Sequence, residues 1–169
     1  MAMIYRKSDK FNRNGVRRRE TMNLPDYWFP YVITHIVTII LIIVCYKWPK
    51  IGKVAWGIIF ILAGIFNIFT VIKDPQAYLG YRDHAVEFYK FFIDGVFNSF
   101  TIFIVSLIGI GQILVGIFLL RKGKLFLFGI LGGIIFLIAI APLGIGSAFP
   151  STLLMALSLV LLFFRLKKV

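Results

Sequence analysis

The sequence predicts an all-α integral membrane protein, with a four-helix transmembrane bundle core and a fifth, N-terminal hydrophobic helix. The first observation is composition: 60% of the residues are hydrophobic, 15% are charged and the mean hydropathy is +0.91, whereas soluble domains are about half apolar and about a quarter charged. The second is the arrangement of five long apolar runs, at 31–46, 54–72, 96–120, 125–141 and 147–164. Each run approaches the ~20 residues that a helix needs to cross a bilayer.

The chain divides into a basic polar tail, residues 1–26, and a single membrane domain, residues 27–169. The tail holds seven of the 19 Lys and Arg residues. It does not lead into a short apolar core with a small-residue cleavage site, so we expect no cleavable signal peptide. Within the membrane domain, residues 73–95 form an amphipathic acidic and aromatic segment between apolar runs. We expect insertion in the cytoplasmic membrane.

The net charge of +12 does not indicate a nucleic-acid-binding protein. Lys and Arg cluster near the ends of the apolar runs, where they face anionic headgroups and influence topology. No soluble domain with interleaved basic and aromatic residues accompanies them. We therefore expect membrane lipids as partners, together with another membrane protein or a second copy of this chain, and no nucleic acid.

The distribution of positive charge bears on the number of spans. If only the last four runs span, 16 of the 19 Lys and Arg residues lie on the same side as the tail, and 3 lie on the other. That is a strong positive-inside bias, with the tail in the cytoplasm. If 31–46 also spans, the counts become 9 and 10 and the bias disappears. The first run is therefore either a true span or a shallow, re-entrant segment, and its length favours a span.

Residues that flank the first run fit a position at the membrane surface. Trp28 and Trp48 carry amphipathic rings of the kind enriched at membrane interfaces. Pro25, Pro30 and Pro49 are expected to bound the helix, since proline interrupts helical hydrogen bonding. Both features are compatible with a span and with a re-entrant segment.

Four of the seven acidic residues lie between positions 74 and 94. Placing successive residues at about 100° intervals produces one polar stripe on a helix, made of Asp83, Glu87, Lys90, Asp94 and Asn98. We predict that this helix begins near Asp83, which can cap its N-terminus. It either continues to residue 120 or breaks near Gly95.

Two hypotheses follow for this stripe. In the first, residues 73–95 lie on the membrane surface, with their carboxylates in water and the rings of Phe88, Phe91 and Phe92 in the interface. In the second, the stripe is the polar wall of a cavity or pore mouth, with acids at its entrance and amides deeper in the membrane. The candidate ligand- or partner-binding residues are Asn67, Asp74, Asp83, Glu87, Lys90, Asp94, Asn98 and Gln112.

Side chains that commonly hold metals or cofactors are few. Cys45 is the single cysteine, so we expect no intrachain disulfide, no CxxC pair and no multi-cysteine metal site. His35 and His84 are the only histidines, and their spacing indicates neither haem ligation nor a metal site. No nucleotide-binding loop or catalytic triad is recognisable. We assign no catalytic residue, no metal ligand and no cofactor.

Glycines in the later runs predict close helix packing. Gly129 and Gly133 form a GxxxG pair, while Gly109, Gly111 and Gly116 remove bulk from one side of the preceding helix. Small residues allow the backbones of membrane helices to approach closely. We expect these contacts within one bundle, with dimerisation as the alternative.

Two stretches resemble DoxX-like membrane proteins, a family of small hydrophobic helical proteins. WGIIFILAGIFN, at 56–67, resembles the family's opening helix, and GIGQILVGIFLLRKGK, at 109–124, is similar to its glycine-rich helix and basic turn. The last two runs, joined through GSAFP, complete the resemblance over about residues 54–165. It implies a four-helix bundle, and some relatives are accessory subunits of quinone-linked or thiol redox systems. The family often has a glutamate where this chain has Gln112, which weakens an inferred proton-linked role.

These observations favour a noncatalytic accessory or binding subunit of the membrane. Its acidic and aromatic segment would dock a partner or a lipid-like ligand, with Asp83, Glu87 and Asp94 orienting a polar or cationic group. The resemblance alone suggests the first alternative, a membrane component of a quinone-linked oxidoreductase. Amides at membrane depth suggest the second, a small-solute transporter or oligomeric channel.

Overall fold

The computed structural model describes residues 24–167, and its side chains at position 29 and from 31 onward. Within that part of the chain, 93% of the residues are helical and no strand is present. The α-helices are α1 (Leu24–Lys47), α2 (Pro49–Lys73), α3 (Glu87–Phe92), α4 (Thr101–Leu120), α5 (Gly123–Ile140) and α6 (Ser151–Lys167). A 3₁₀ segment (Pro75–His84) and a π-helical turn (Ile93–Phe97) flank α3, and a second 3₁₀ segment (Ala141–Ser147) precedes α6.

Three helices are long and apolar enough to cross a membrane by length and composition: Pro49–Lys73, Thr101–Leu120 and Gly123–Ser147. At 1.5 Å per residue, the 25 residues of α2 extend about 37 Å, longer than the ~30 Å hydrocarbon core. A shorter apolar helix, Tyr31–Lys47, lies within α1. The helical and membrane-compatible character predicted from composition is thus confirmed.

The α2 and α4 helices pack through glycines at two levels. A Cβ atom built on Gly109 would lie 2.8 Å from the carbonyl oxygen of Gly64, and one built on Gly116 would lie 2.6 Å from that of Gly57. Both distances are too short for a side-chain carbon. The two backbones therefore touch because these positions have no side chains, and the order of the pairs makes the helices antiparallel. Gly111 points to open space and takes no part in this contact.

The α5 helix also uses glycines where it meets its neighbours in the same chain. A Cβ on Gly129 would lie 2.6 Å from the backbone nitrogen of Leu119 in α4. One on Gly133 would lie 2.9 Å from the side chain of Leu159 in α6 and 3.2 Å from the ring of Phe60 in α2. The GxxxG pair is therefore occupied by contacts within one chain.

The α1 helix runs parallel to α6 along its length. At one end, the Tyr31 hydroxyl donates to the carbonyl of Phe149, just before α6, over 3.1 Å. At the other end, Nε of Arg165 donates to the carbonyl of Tyr46 over 3.0 Å. The expectation that Pro30 bounds the first helix is wrong, because Pro30 lies inside α1. Pro25 is the second residue of α1 and lies at its boundary, as expected. Pro49 does mark a boundary, since it opens α2.

The main apolar cluster joins α1, α2, α4, α5 and α6 around Trp56, which is 1% exposed. Its indole nitrogen donates to the hydroxyl of Ser158 over 3.1 Å. Phe60 packs against the same ring with a centroid distance of 5.5 Å. A buried tryptophan with a satisfied N–H fixes the depth of α6 against α2.

Charge separates the two ends of the molecule. At the basic end, α1 meets α2 at Trp48 and α4 meets α5 at Arg121 and Lys122. The other end, here called the cap end, contains the 74–100 connection and the 141–150 connection. In the described side chains, every Asp and Glu lies at the cap end, while eight of the eleven Lys and Arg residues lie at the basic end.

Candidate functional site

The 74–100 connection forms a folded cap at the end of α2 and α4. Asp74 ends α2 with an extended backbone, and its carboxylate accepts a hydrogen bond from the backbone nitrogen of Gln76 over 3.1 Å. Pro75 then opens the 3₁₀ segment, in a position where proline costs no hydrogen bond. The capping role predicted for Asp83 is wrong. Asp74 caps the 3₁₀ segment that begins at Pro75, and α3 begins at Glu87 without a side-chain cap.

A second apolar cluster holds the cap against the membrane helices. Its buried members are Val71 of α2, Val105 of α4 and, from the cap, Tyr78, Ala85, Ile93 and Phe97. Side chains from both the 3₁₀ segment and the π-helical turn therefore pack on the ends of α2 and α4. This cluster gives the cap a core of its own.

The cap also rests on the 141–150 connection between α5 and α6. The backbone nitrogen of Val86 donates to the carbonyl of Pro142 over 3.0 Å. The hydroxyl of Tyr89 donates to the carbonyl of Ala139, at the end of α5, over 2.6 Å. A Cβ atom on Gly144 would meet the carbonyl oxygen of His84, so the two backbones are in direct contact. Two connections far apart in sequence thus make one surface.

The predicted stripe from Asp83 to Asn98 is wrong as a single helical face. Asp83 belongs to the 3₁₀ segment, and Ala85 and Val86 are extended, so α3 starts afresh at Glu87. A second break follows at Gly95, whose φ of −97° and ψ of −106° are not helical. The break at Gly95 is one of the two outcomes expected from the sequence. A helical wheel assumes an unbroken helix, and here the chain is broken twice.

The carboxylates of the cap pair with different elements. Asp94 accepts from Nε of Arg82 at 2.6 and 2.7 Å, which ties the π-helical turn to the 3₁₀ segment. Glu87 accepts from Nζ of Lys90 over 2.6 Å within α3. Asp83 is exposed and makes no ion pair with a described residue. Both pairs are exposed to solvent, so their main effect is on local geometry and charge.

The ion pairs shift the protonation of the cap in defined directions. The hydrogen bond and charge of Lys90, with a smaller effect of Arg82, hold the pKa of Glu87 below its ordinary value. The hydrogen bond and charge of Asp94 raise the pKa of Arg82. Glu87 is therefore a carboxylate and Arg82 a guanidinium at neutral pH, so the cap surface is zwitterionic.

A polar cluster lies where the cap meets the membrane helices. Nδ2 of Asn67 in α2 donates to Oε1 of Gln112 in α4 over 2.6 Å. The Tyr78 hydroxyl donates to the side-chain Oδ1 of Asn67 over 3.0 Å and lies 3.2 Å from the backbone carbonyl oxygen of the same residue. Burial raises the pKa of Tyr78 to about 12, with a smaller effect of Tyr81. The amides thus bond to each other and to a tyrosine that sequence analysis did not single out.

Asn98 does not join this cluster. It is exposed beside the break that follows Gly95, so it does not supply the deep hydrogen bond predicted for it. Asn67 and Gln112 are brought together, whereas Asp74, Asp83, Glu87, Lys90 and Asp94 lie in the cap. No sequence signal identifies Tyr78, since its contact with Asn67 spans eleven residues across a helix end.

The aromatic side chains of α3 project from the cap. Phe88 is 77% exposed and Phe91 is 82% exposed, while Phe92 is 40% exposed and packs partly on Phe97. Trp48, the other predicted interface residue, is 55% exposed at the basic end. The side chain of Trp28 lies outside the described residues.

Groups that could support cofactor or metal chemistry are dispersed over the described residues. No three His, Cys, Asp or Glu side chains among them are arranged to hold a metal ion. Cys45 is buried. Nδ1 of His35 donates to the carbonyl of Tyr31 over 2.8 Å, one helical turn away. The hydroxyls of Ser151 and Thr152 at the start of α6 are buried and make no hydrogen bond in the described structure.

No protein-family model, curated protein or solved structure matches this chain. The resemblance to DoxX-like proteins therefore stays a prediction.

Proposed function

We propose that this protein is a polytopic membrane protein of the cytoplasmic membrane, with α2, α4, α5 and α6 as a four-helix core. In this proposal α1 is a fifth crossing. Its parallel course beside α6, with hydrogen bonds at both ends, supports a full crossing over a shallow segment. The 17 residues of α6 extend about 26 Å, and a helix that accompanies it from end to end covers the same depth.

Five crossings would change the topology. Residue 24 starts α1 at the cap end, so the basic tail would lie on the side of the cap, opposite Lys47, Lys50 and Lys53. Lys and Arg then divide 10 to 9 between the two sides, and the positive-inside rule sets no orientation. The tail would share its side with the acidic cap.

We further propose that the protein binds rather than catalyses, as an accessory subunit. The cap would dock a membrane protein partner that presents basic and apolar side chains. The observation that carries this proposal is the exposure of Phe88 and Phe91 on α3, the short helix that begins with the exposed Glu87 and follows the exposed Asp83. Exposed rings next to charge are typical of surfaces that bind partners.

The two alternatives have less support. Asn67 and Gln112 bond to each other, which favours a structural role over the lining of a solute pathway. The quinone-linked hypothesis is supported by the family resemblance alone, and no contact within residues 24–167 adds to that support.

The experiment is site-specific photo-crosslinking in the membrane that normally contains the protein. A photoreactive phenylalanine replaces Phe91 in the cap or, as a control, Phe103, which is 68% exposed on α4. We expect position 91 to form an adduct with one defined protein, and position 103 to label lipid. The adduct should disappear in the Asp83→Asn/Glu87→Gln variant, because the basic side chains of the partner lose the charges they bind. Both carboxylates are exposed, so their removal leaves the fold intact.

Two results would contradict the docking proposal. Labelling of lipid alone at both positions would identify α3 as an interfacial anchor. A protein adduct that persists after both charges are removed would show that the carboxylates play no part in docking.

A further inference from the structure

The basic end contains an open cleft between the ends of α2, α4, α5 and α6. It has a volume of about 720 Å³. Four lysines line it, Lys50 and Lys53 from α2, Lys122 from the α4–α5 turn and Lys167 from the end of α6. Its other walls are mainly apolar and include Phe126 and Leu166. We call this the lysine cleft.

The lysine cleft has an excess of positive charge that the described protein does not neutralise. Every described Asp and Glu side chain lies at the cap end, and neither ion pair in the described residues involves a cleft lysine. Lys53 donates to the carbonyl of Arg121 over 2.6 Å and lies 5.0 Å from the centroid of the Phe126 ring. Among the described residues, the other three lysines have no such partner, so an anion in the cleft would relieve the repulsion between them.

The depth of the cleft indicates where that anion comes from. Its walls are terminal turns of α2, α4 and α5, three helices that are long and apolar enough to cross a bilayer, together with the end of α6. The cleft therefore opens at the level of the headgroups. Lysines at this level attract anionic lipid with about 1 kcal/mol for each charge. A free phosphate would contact the lysines only, whereas a phospholipid would also cover the apolar walls.

We propose that the lysine cleft binds an anionic phospholipid. The phosphate lies among Lys50, Lys122 and Lys167, and the start of an acyl chain packs against Phe126 and Leu166. The site is independent of the cap and of the partner proposed for it, because the two surfaces are at opposite ends of the molecule. Its occupant stabilises an end where several helices meet through short turns.

The test compares lipid binding by the purified full-length protein. Native mass spectrometry measures the affinity for phosphatidylglycerol and for phosphatidylcholine with identical acyl chains, so the two ligands share the same apolar part and differ in the headgroup, which is anionic in the first and zwitterionic in the second. The test variant is Lys50→Gln/Lys122→Gln/Lys167→Gln. The matched control is Lys47→Gln/Arg121→Gln/Lys124→Gln, which removes three positive charges from the same end without touching a cleft side chain.

We expect the natural protein to prefer phosphatidylglycerol and the test variant to lose about tenfold or more of that preference. The control variant should keep it within about twofold. A Lys50→Arg/Lys122→Arg/Lys167→Arg variant should also keep it, which separates lost charge from lost folding. Inorganic phosphate at about 10 mM should not displace the lipid, because it does not reproduce the contacts with the apolar walls.

Three results would overturn the proposal. Equal losses in the test and control variants would identify a diffuse surface potential. Displacement of the lipid by inorganic phosphate would identify a site for a soluble anion. Equal affinity of the natural protein for the two lipids would remove the basis for a charged site.

Discussion

The two ends of this molecule connect antiparallel helices differently, through a long folded segment at the cap end and through very short turns at the basic end. At the cap end, the connection from α2 to α4 folds into three short helical pieces with buried side chains of its own. At the basic end, Trp48 alone separates α1 from α2, and Arg121 and Lys122 alone separate α4 from α5. One end is covered and the other is open.

The difference in connection length explains why charges are mostly paired at the cap end and unpaired at the basic end of the described structure. A long connection brings carboxylates and cations together, so the cap pairs Asp94 with Arg82 and Glu87 with Lys90. A connection of one or two residues covers nothing, so the lysines of the basic end surround an open cleft. We infer that the cap end presents rings and carboxylates to a protein, while the basic end presents cations to lipid.

The largest loss of stability is expected when Gly144 is replaced by alanine, because this change would separate the cap from the α5–α6 connection. Gly144 has a φ of 66° and ψ of −138°, a combination suited to glycine, and an added Cβ would meet the carbonyl of His84. We expect Gly144→Ala to lower the free energy of unfolding by about 2–3 kcal/mol. Reversible SDS unfolding in mixed micelles measures this change.

The basic end provides the control for that experiment. Gly123 also has a positive φ, of 63°, but a Cβ there would have nothing within 4 Å. Gly123→Ala should therefore cost only the backbone strain, about 1 kcal/mol. Equal losses for the two variants would mean that the contact between the cap and the connection adds no stability.

A smaller effect is expected for Tyr78→Phe, which removes the hydrogen bond between the cap and Asn67. The phenylalanine keeps the apolar contacts of the ring but leaves Oδ1 of Asn67 without its donor. We expect a loss of about 1–1.5 kcal/mol in the free energy of unfolding. Protection of cap amides from hydrogen exchange should fall while α5 and α6 remain protected.

Tyr46 at the basic end is the matched control for Tyr78. Tyr46 is 54% exposed, and the centroid of its ring lies 4.7 Å from the guanidinium carbon of Arg165. Phenylalanine preserves this cation–π contact, so Tyr46→Phe should change stability by less than about 0.5 kcal/mol. A loss at Tyr46 equal to that at Tyr78 would indicate a general effect of removing hydroxyls rather than a specific bond in the cap.

The contrast between the ends also shows which features sequence analysis can reach. The run at 125–141 agrees with α5 at 123–140 because a long apolar stretch has one way to lie in a bilayer. The contacts of Gly109 and Gly116 with α2 involve residues that were singled out for their size, but the partner helix could not be read from spacing. The sequence delimits the cap segment at residues 73–95 and allows a break at Gly95, but it does not predict how the cap folds, because helical periodicity does not reveal where a chain leaves the helix. The breaks at Ala85 and Gly95 divided a stripe that looked continuous.

The smallest effect concerns the pH dependence of the cap. Because Lys90 lowers the pKa of Glu87, the folded carboxylate binds its proton less readily than the unfolded one. The pair therefore stabilises the fold at pH values above the pKa of the unfolded glutamate. That contribution is lost as the pH falls through the lowered pKa. The described part of the basic end has no carboxylate and should show no such step.

Glutamate-selective ¹³C labelling can measure this shift, because Glu20 and Glu87 are the only glutamates in the chain. We expect Lys90→Gln to raise the pKa of Glu87 towards its ordinary value. Arg82→Gln should raise it less, since Arg82 acts only through its charge. A larger rise with Arg82→Gln would show that the field of the 3₁₀ segment, and not the bond within α3, controls this carboxylate. In that case the charge of the acidic surface would depend on how the 3₁₀ segment is held against α3. The protonation of the carboxylates and the fold of the cap would then be coupled.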